Sequence, residues 1–181
     1  GGNNSAPKRN NFNPNNNHRK GHLNHVTKEE AQNAPDIVLG TYPVNTIPAM
    51  VLFDSGASHS FISKSFALQN NFSMLPLEKS MIIKSPGIKQ VTQSYCQGVV
   101  IEFEGLKFYA NLIVLESKGL DVILGMDWLT TNKGFIDCFN RTVILTHHHG
   151  KTIKVSAKER QIPRQPRLNK VDVSELNKVP V

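Results

Sequence analysis

The chain has 181 residues, enough for one ordinary domain with flanking segments, because a single hydrophobic core commonly takes about 100–150 residues. It contains no run of about 18 apolar residues that could span a bilayer, and Cys96 and Cys138 are too few for a disulfide scaffold. We therefore expect a cytoplasmic protein with no membrane contact and reduced cysteines.

The net charge of +7 lies at the two ends of the chain. Residues 1–35 carry five Lys/Arg against two acids, and residues 151–181 carry eight against three, whereas residues 36–150 carry eight against nine. The central region therefore lacks the basic character of a nucleic-acid reader, and only weak nucleic-acid contact through the basic tails is compatible with this distribution.

The two ends are also poor in large apolar side chains. Residues 1–35 include ten Asn, and residues 151–181 include Pro163, Pro166 and Pro180. Such segments bury too little surface to offset the entropy of ordering. We predict a disordered basic linker at 1–35, one domain at 36–150, and a second disordered basic linker at 151–181 that leads toward a missing downstream domain.

Between the linkers, apolar residues come in short runs bounded by turn residues, the pattern typical of strands. The domain is therefore predicted to be mostly β, with one or two short helices. The predicted helices are Phe61–Leu68 and Met126–Thr131. The predicted strands are Asp36–Val44, Ala49–Phe53, Ser80–Ile83, Gln90–Tyr95, Gly98–Phe103, Leu106–Leu115, Asp121–Leu124, Phe135–Phe139 and Thr142–Thr146.

The segment at residues 49–58, AMVLFDSGAS, carries the candidate chemistry. Five apolar residues run directly into Asp54, so a buried strand ends on a carboxylate. Asp-Ser-Gly alone is more often an ordinary turn. A second apolar strand, however, ends at Leu124 and Gly125 and leads into a helical turn, and Pro86-Gly87 lies between the two strands.

Both segments, in this order, resemble the aspartic protease half-barrel. The sequences LFDSGASHSFIS at 52–63 and ILGMDWL at 123–129 are similar to the protease region of gypsy-type Gag-Pol polyproteins from plant long-terminal-repeat retrotransposons. This resemblance implies a retropepsin-like fold that forms a homodimer, with Asp54 as the catalytic residue. It also implies that the chain is a fragment of a longer polyprotein or a decayed copy.

The resemblance assigns roles to further residues. The active-site loop is supported by Ser55, Gly56, Ala57 and Ser58; Ser55 bonds across the dimer, and Gly56 lets the backbone approach the two carboxylates. Leu124 and Gly125 pack beside this loop. A mobile flap with its tip at Pro86, Gly87 and Ile88 covers an extended polypeptide substrate.

The expected activity is aspartic endopeptidase hydrolysis of a retrotransposon polyprotein, with no cofactor and no metal. An inactive dimerising or peptide-binding module, and a nucleic-acid-binding remnant that acts through the tails, remain open alternatives. Asp127 is compatible with a partner near the site or a place at the dimer edge. The run His147-His148-His149 is compatible with a solvated strand end or a fortuitous metal site.

Overall fold

The protein is described from a computed structural model, which covers residues 19–23, 27–28, 37–86 and 88–157. Two short helices are present in these residues: α1 (Lys64–Gln69) and α2 (Met126–Thr131). Neither is long and apolar enough to cross a membrane. The strands are β1 (Arg19–His22), β2 (Ile37–Val44), β3 (Ile47–Asp54), β4 (Phe61–Ser63), β5 (Leu75–Ser85), β6 (Ile88–Phe103), β7 (Leu106–Leu115), β8 (Val122–Leu124), β9 (Phe135–Asp137), β10 (Thr142–Thr146) and β11 (Thr152–Ser156).

Six of these strands form a closed ring. The hydrogen-bonded order is β6-β2-β3-β8-β4-β7, and β7 pairs back to β6. β5 adds to the first half of β6, and β1 adds in parallel to β5, so these strands project from the ring as an extension. A separate three-stranded sheet has the order β11-β10-β9.

Two tight turns set the register of the ring. Val44 pairs with Ile47, so only Asn45 and Thr46 connect β2 to β3, and both have positive φ. Glu104 and Gly105 connect β6 to β7 in the same way. Two-residue turns with positive φ match the twist of paired strands, which is why Asn and Gly are favoured in them. The first turn brings the end of β3 opposite the start of β2.

An aromatic cluster fills the ring below the end of β3. The ring centroids of Phe53 and Phe103 are 5.3 Å apart, those of Phe103 and Phe108 are 5.6 Å apart, and those of Phe108 and Trp128 are 5.8 Å apart. Trp128 Nε1–H donates to the Tyr109 carbonyl at 3.0 Å, so its polar atom is satisfied. Such aromatic pairs add about 0.5–1.5 kcal/mol each beyond the burial of area. The cluster therefore packs against Phe53 and stabilises the position of β3.

The predicted fold class is confirmed, because the described chain is mostly β with two short helices. Two local predictions are wrong. Gln90–Tyr95 and Gly98–Phe103 belong to one strand, β6, with a register irregularity between Cys96 and Val99. Residues 61–63 begin no helix; they form β4 because they pair with β7 and β8.

Two strands lie in the segments that were predicted to be disordered linkers. β1 pairs with β5. β11 pairs with β10 and buries Ile153 and Val155. At these residues the prediction is wrong, because pairing with the distant β5 and with the adjacent β10 orders segments whose local composition is weak. The other residues of the two linkers lie outside the described chain, and there the prediction stays a prediction.

Candidate active site

The Asp54 carboxylate lies at the carboxyl end of β3, which runs between β2 and β8. The side chain is only 1% exposed. Its Oδ1 accepts the Gly56 N–H at 2.7 Å, and its backbone carbonyl accepts the Ala57 N–H at 3.2 Å. The Asp-Ser-Gly-Ala turn thus orients the carboxylate with its own backbone. Water and substrate can reach this carboxylate only after neighbouring groups move.

The carboxylate loop, residues 54–60, crosses directly over Gly125. A Cβ atom on Gly125 would lie 2.2 Å from the His59 carbonyl oxygen and 2.7 Å from that of Ala57. The next residue, Met126, donates its N–H to the Ala57 carbonyl at 2.8 Å. The start of α2 and the loop are therefore in backbone contact, which only glycine at position 125 permits.

A second connection between the two segments runs through the buried hydroxyl of Ser60. It accepts the Gly125 N–H at 3.0 Å and donates to Asp127 Oδ1 at 2.6 Å. The Ser60 N–H also donates to Asp127 Oδ2, at 3.2 Å. Asp127 therefore has its partner beside the carboxylate loop. Ser60 was absent from the predicted site, although its place three residues before the end of the conspicuous motif at 54–63 offered some signal.

The other predicted loop residues divide by exposure. Ala57 is fully buried and Gly56 is half-buried, whereas Ser55 and Ser58 are exposed. Leu124 is fully buried and pairs with Phe53 across the β3–β8 ladder. The structure thus brings residues 54–58 together with Leu124 and Gly125.

Ser58 also contacts a segment that the sequence did not associate with the site. Its N–H donates to the His22 carbonyl at 3.0 Å, and its Oγ accepts the His22 N–H at 2.8 Å. The same oxygen lies 2.8 Å from His59 Nδ1. The end of β1 is therefore held against the carboxylate loop, and no local pattern in residues 19–23 indicates this position.

The predicted flap corresponds to the hairpin of β5 and β6. Ser85 pairs with Ile88, so the chain reverses direction between these two residues. Pro86 is exposed, and Gly87 lies outside the described residues. The base of the hairpin contains buried Met81 and Ile83.

The three histidines predicted as a strand end or metal site lie in the turn that follows β10. Their ring nitrogens are within 4.8 Å of one another. His147 is buried, its Nε2 lies 3.0 Å from the Lys107 carbonyl, and its Nδ1 receives the His149 N–H at 3.4 Å. Desolvation, followed by the adjacent His147 and His149, lowers the pKa of His148. Because both ring nitrogens of His147 contact backbone groups, this arrangement supports a structural role in the turn.

A family model described as retroviral aspartyl protease matches residues 17–151. No match was found among curated proteins. Among solved structures, the retroviral protease-like domain of Ddi1 from Leishmania major is 16% identical, with a TM-score of 0.52 over 70% of this chain and 97% of that chain. An EIAV protease in complex with an inhibitor is 20% identical, with a TM-score of 0.41 over 51% of this chain and 85% of that chain. At 16% identity, the likeness to the Ddi1 domain concerns the fold alone, and it agrees with the predicted retropepsin-like architecture.

Proposed function

The chain belongs to the retroviral aspartyl protease family, and from this premise we propose that it is an aspartic endopeptidase that acts as a homodimer. The observation that carries the proposal is the buried Asp54 carboxylate, oriented by the Gly56 N–H at the end of a central strand. The sequence contains one Asp-Ser-Gly loop. A site with two carboxylates therefore requires a second copy of the chain, placed by a two-fold axis.

In the proposed mechanism the two Asp54 carboxylates lie side by side and share one proton, because two negative charges at that separation repel strongly. The ionised carboxylate takes a proton from water as the water oxygen attacks the scissile carbonyl carbon. Its protonated partner donates to the carbonyl oxygen. The tetrahedral intermediate then collapses: one of its hydroxyls returns a proton to the ionised member of the dyad as the carbonyl re-forms, the C–N bond breaks, and the leaving nitrogen takes the proton held by the other member. This reaction requires neither a covalent intermediate nor a metal.

The surrounding residues have supporting roles in this proposal. The exposed Ser55 is available to bond across the dimer, and Gly56 keeps the backbone close to the carboxylates. The hairpin tip at Pro86, Gly87 and Ile88 is proposed as the flap that covers an extended polypeptide substrate and excludes water.

We further propose that the substrate is a retrotransposon polyprotein of the gypsy type. The support is the amino-acid sequence at 52–63 and 123–129, which is similar to that of plant elements of this type. A cytoplasmic location belongs to the same proposal. The two free cysteines, Cys96 and Cys138, agree with it, because reducing compartments keep thiols unpaired. The alternative of nucleic-acid contact through the basic tails is tested by salt-dependent RNA binding of the chain with and without those tails.

The decisive experiment is Asp54→Asn in the full-length protein. Asn keeps the size of the side chain and removes the ionisable group from both subunits at once. Hydrolysis of a mixed peptide library at mildly acidic pH should fall by at least about 10³-fold, within the range for loss of a general acid–base group. The matched control is Asp137→Asn on β9, which should keep full activity. Pepstatin should inhibit the parent.

Two results would contradict the proposal. One is peptide cleavage by Asp54→Asn as fast as by the parent; the other is a parent protein that is inert across the acidic range. The second result would favour the alternative function, an inactive retropepsin-like module that binds peptides or dimerises.

The dimer has a separate test. Because each chain supplies half of the proposed site, specific activity should fall as the protein is diluted through the dimer dissociation constant. Sedimentation at the same concentrations should show the dimer converting to monomer. Full activity of a strictly monomeric species would exclude the shared site.

A further inference from the structure

β1 lies between the β5–β6 hairpin and the carboxylate loop, with hydrogen bonds on both of its edges. On one edge it pairs in parallel with β5, with His22 opposite Lys84, and the Leu23 N–H donates to the Lys84 carbonyl at 3.0 Å. On the other edge, Ser58 exchanges two hydrogen bonds with the His22 backbone, at 2.8 and 3.0 Å. Residues 19–23 therefore occupy a slot between the proposed flap and the proposed catalytic loop.

The side chains of this segment fit the slot closely. Leu23 is 0% exposed and belongs to the same buried cluster as Ala57 of the carboxylate loop and Ile83 of the hairpin. Gly21 lies so near β5 that a Cβ atom would be 2.7 Å from Ile83 Cδ1. The contact thus combines an apolar anchor, a close backbone approach and main-chain hydrogen bonds.

Further along the chain, the segment is held again by backbone contacts. Thr27 forms a bridge with Lys118, and the Lys28 N–H donates to the Lys118 carbonyl at 3.1 Å. The chain is therefore attached on both sides of the stretch that follows Leu23. Two such attachments favour intramolecular occupation of the slot over binding of a free peptide.

A peptide that enters between the hairpin and the carboxylate loop as an added strand would need the hydrogen-bonding groups that residues 19–23 now use. Main-chain bonds of this type accept many sequences, and side-chain pockets supply the selectivity. We propose that residues 19–23 are a built-in competitor for the peptide-binding slot, so that a substrate must displace them before it reaches Asp54. The inference rests on the proposed function for the identity of that slot. The near-complete burial of Asp54 agrees with an occupied state.

The size of the effect follows from effective concentration. A tethered segment competes at a local concentration on the order of mM, and the apparent affinity of a free peptide falls with the fraction of slots that are empty. If the segment itself has an intrinsic Kd of about 10 µM for the slot, a free peptide would bind roughly 100-fold more weakly. Displacing the segment by mutation should restore most of that affinity.

The test measures binding instead of hydrolysis, in the full-length protein with Asp54→Asn to prevent cleavage. The probe is a fluorescently labelled peptide of residues 17–27, followed by anisotropy. Leu23→Ser in the protein removes the apolar anchor and should tighten probe binding at least about 10-fold. The matched control is Lys20→Ser, on an exposed side chain of the same strand, which should bind the probe as weakly as the parent.

Gly21→Val provides a second variant that leaves Leu23 in place; its branched side chain would crowd the ends of the Ile83 and Met81 side chains, which lie 2.7 and 3.5 Å from the position of its Cβ. It should also tighten probe binding, and it keeps the test decisive if Leu23→Ser fails to fold. A probe in which the leucine is replaced by serine should not bind. Equal probe affinity for the parent, Lys20→Ser and the folded slot variants would overturn the proposal. A protease that proves inactive would fail the hydrolysis test and leave this binding result intact, so the two failures are distinguishable.

Discussion

The carboxylate loop and the β5–β6 hairpin are held by different kinds of contact. The loop lies at backbone distance from the buried Gly125 and is connected to Asp127 through the buried Ser60. The hairpin belongs to an extension of the ring in which β1 also pairs with β5, and Val91 on β6 is 62% exposed. Segments that are buried and held by several hydrogen bonds open at a high free-energy cost, whereas exposed hairpins open locally at a low free-energy cost.

This difference matches what the proposed chemistry needs. A carboxylate that acts as a base must keep its geometry through the reaction, while a cover over an extended peptide must open for every turnover. The fold therefore assigns rigidity to the loop and adaptability to the hairpin. Substitutions in the loop should therefore lower the free energy of unfolding more than substitutions in the hairpin do.

The largest effect on stability is expected for Gly125→Ala. The added Cβ would meet two backbone carbonyl oxygens, which no side-chain rotation can relieve. We expect the free energy of unfolding in urea to fall by more than about 4 kcal/mol, the range reserved for severe core disruption. The control is Gly105→Ala, where φ is +75° but nothing lies within 4 Å, so that strain alone should cost about 1–2 kcal/mol. Similar losses for both would show that the loop is not held rigidly over Gly125.

A smaller effect is expected for Ser60→Ala. This change leaves the buried Gly125 N–H without the oxygen that it contacts and deprives Asp127 of a donor. Leaving such groups unsatisfied costs about 1–3 kcal/mol in unfolding free energy. Ser73→Ala, on an exposed side chain, should stay within about 0.5 kcal/mol of the parent. A Ser60→Ala protein as stable as the Ser73→Ala control would contradict the proposed connection.

The smallest effect is expected in the hairpin, for Val91→Thr. Val91 is largely exposed, so its replacement by a side chain of the same shape should change the free energy of unfolding by less than about 0.5 kcal/mol. Val51→Thr, at a fully buried position of β3, is the matched control and should cost about 1–3 kcal/mol because it buries a hydroxyl. If the two substitutions cost the same, the contrast between hairpin and ring fails.

The sequence predicts those parts of the fold that depend on local pattern. Leu106–Leu115, Thr142–Thr146 and Met126–Thr131 have the predicted bounds, because apolar runs and turn residues mark both of their ends. Asp54 at the end of a strand also follows from an apolar run that stops at Asp, whereas the position of Leu124 and Gly125 beside it is implied only by the resemblance to aspartic proteases.

The parts that were missed depend on contacts between distant segments. Phe61–Ser63 is apolar and precedes a helix, so it was assigned to that helix, yet it pairs with two strands from later in the chain. Arg19–His22 has no apolar period and is ordered by β5 and Ser58. The hydrogen bond from Ser60 to Asp127 joins residues 67 positions apart, and no local sequence pattern predicts it.

One feature of β6 has a mechanical consequence. The strand is continuous over 16 residues, yet its pairing with β7 is irregular between Cys96 and Val99, where Gly98 has a φ of +61°. Before this point β6 pairs with β5 in the hairpin, and only Tyr95 and Cys96 there also pair with β7; after it β6 belongs to the ring. Ten residues of strand span roughly 33 Å. Rotating that arm by about 10° around the irregularity would move its tip by roughly 6 Å, a lever that converts a small backbone adjustment beside the ring into a wide opening above the carboxylate.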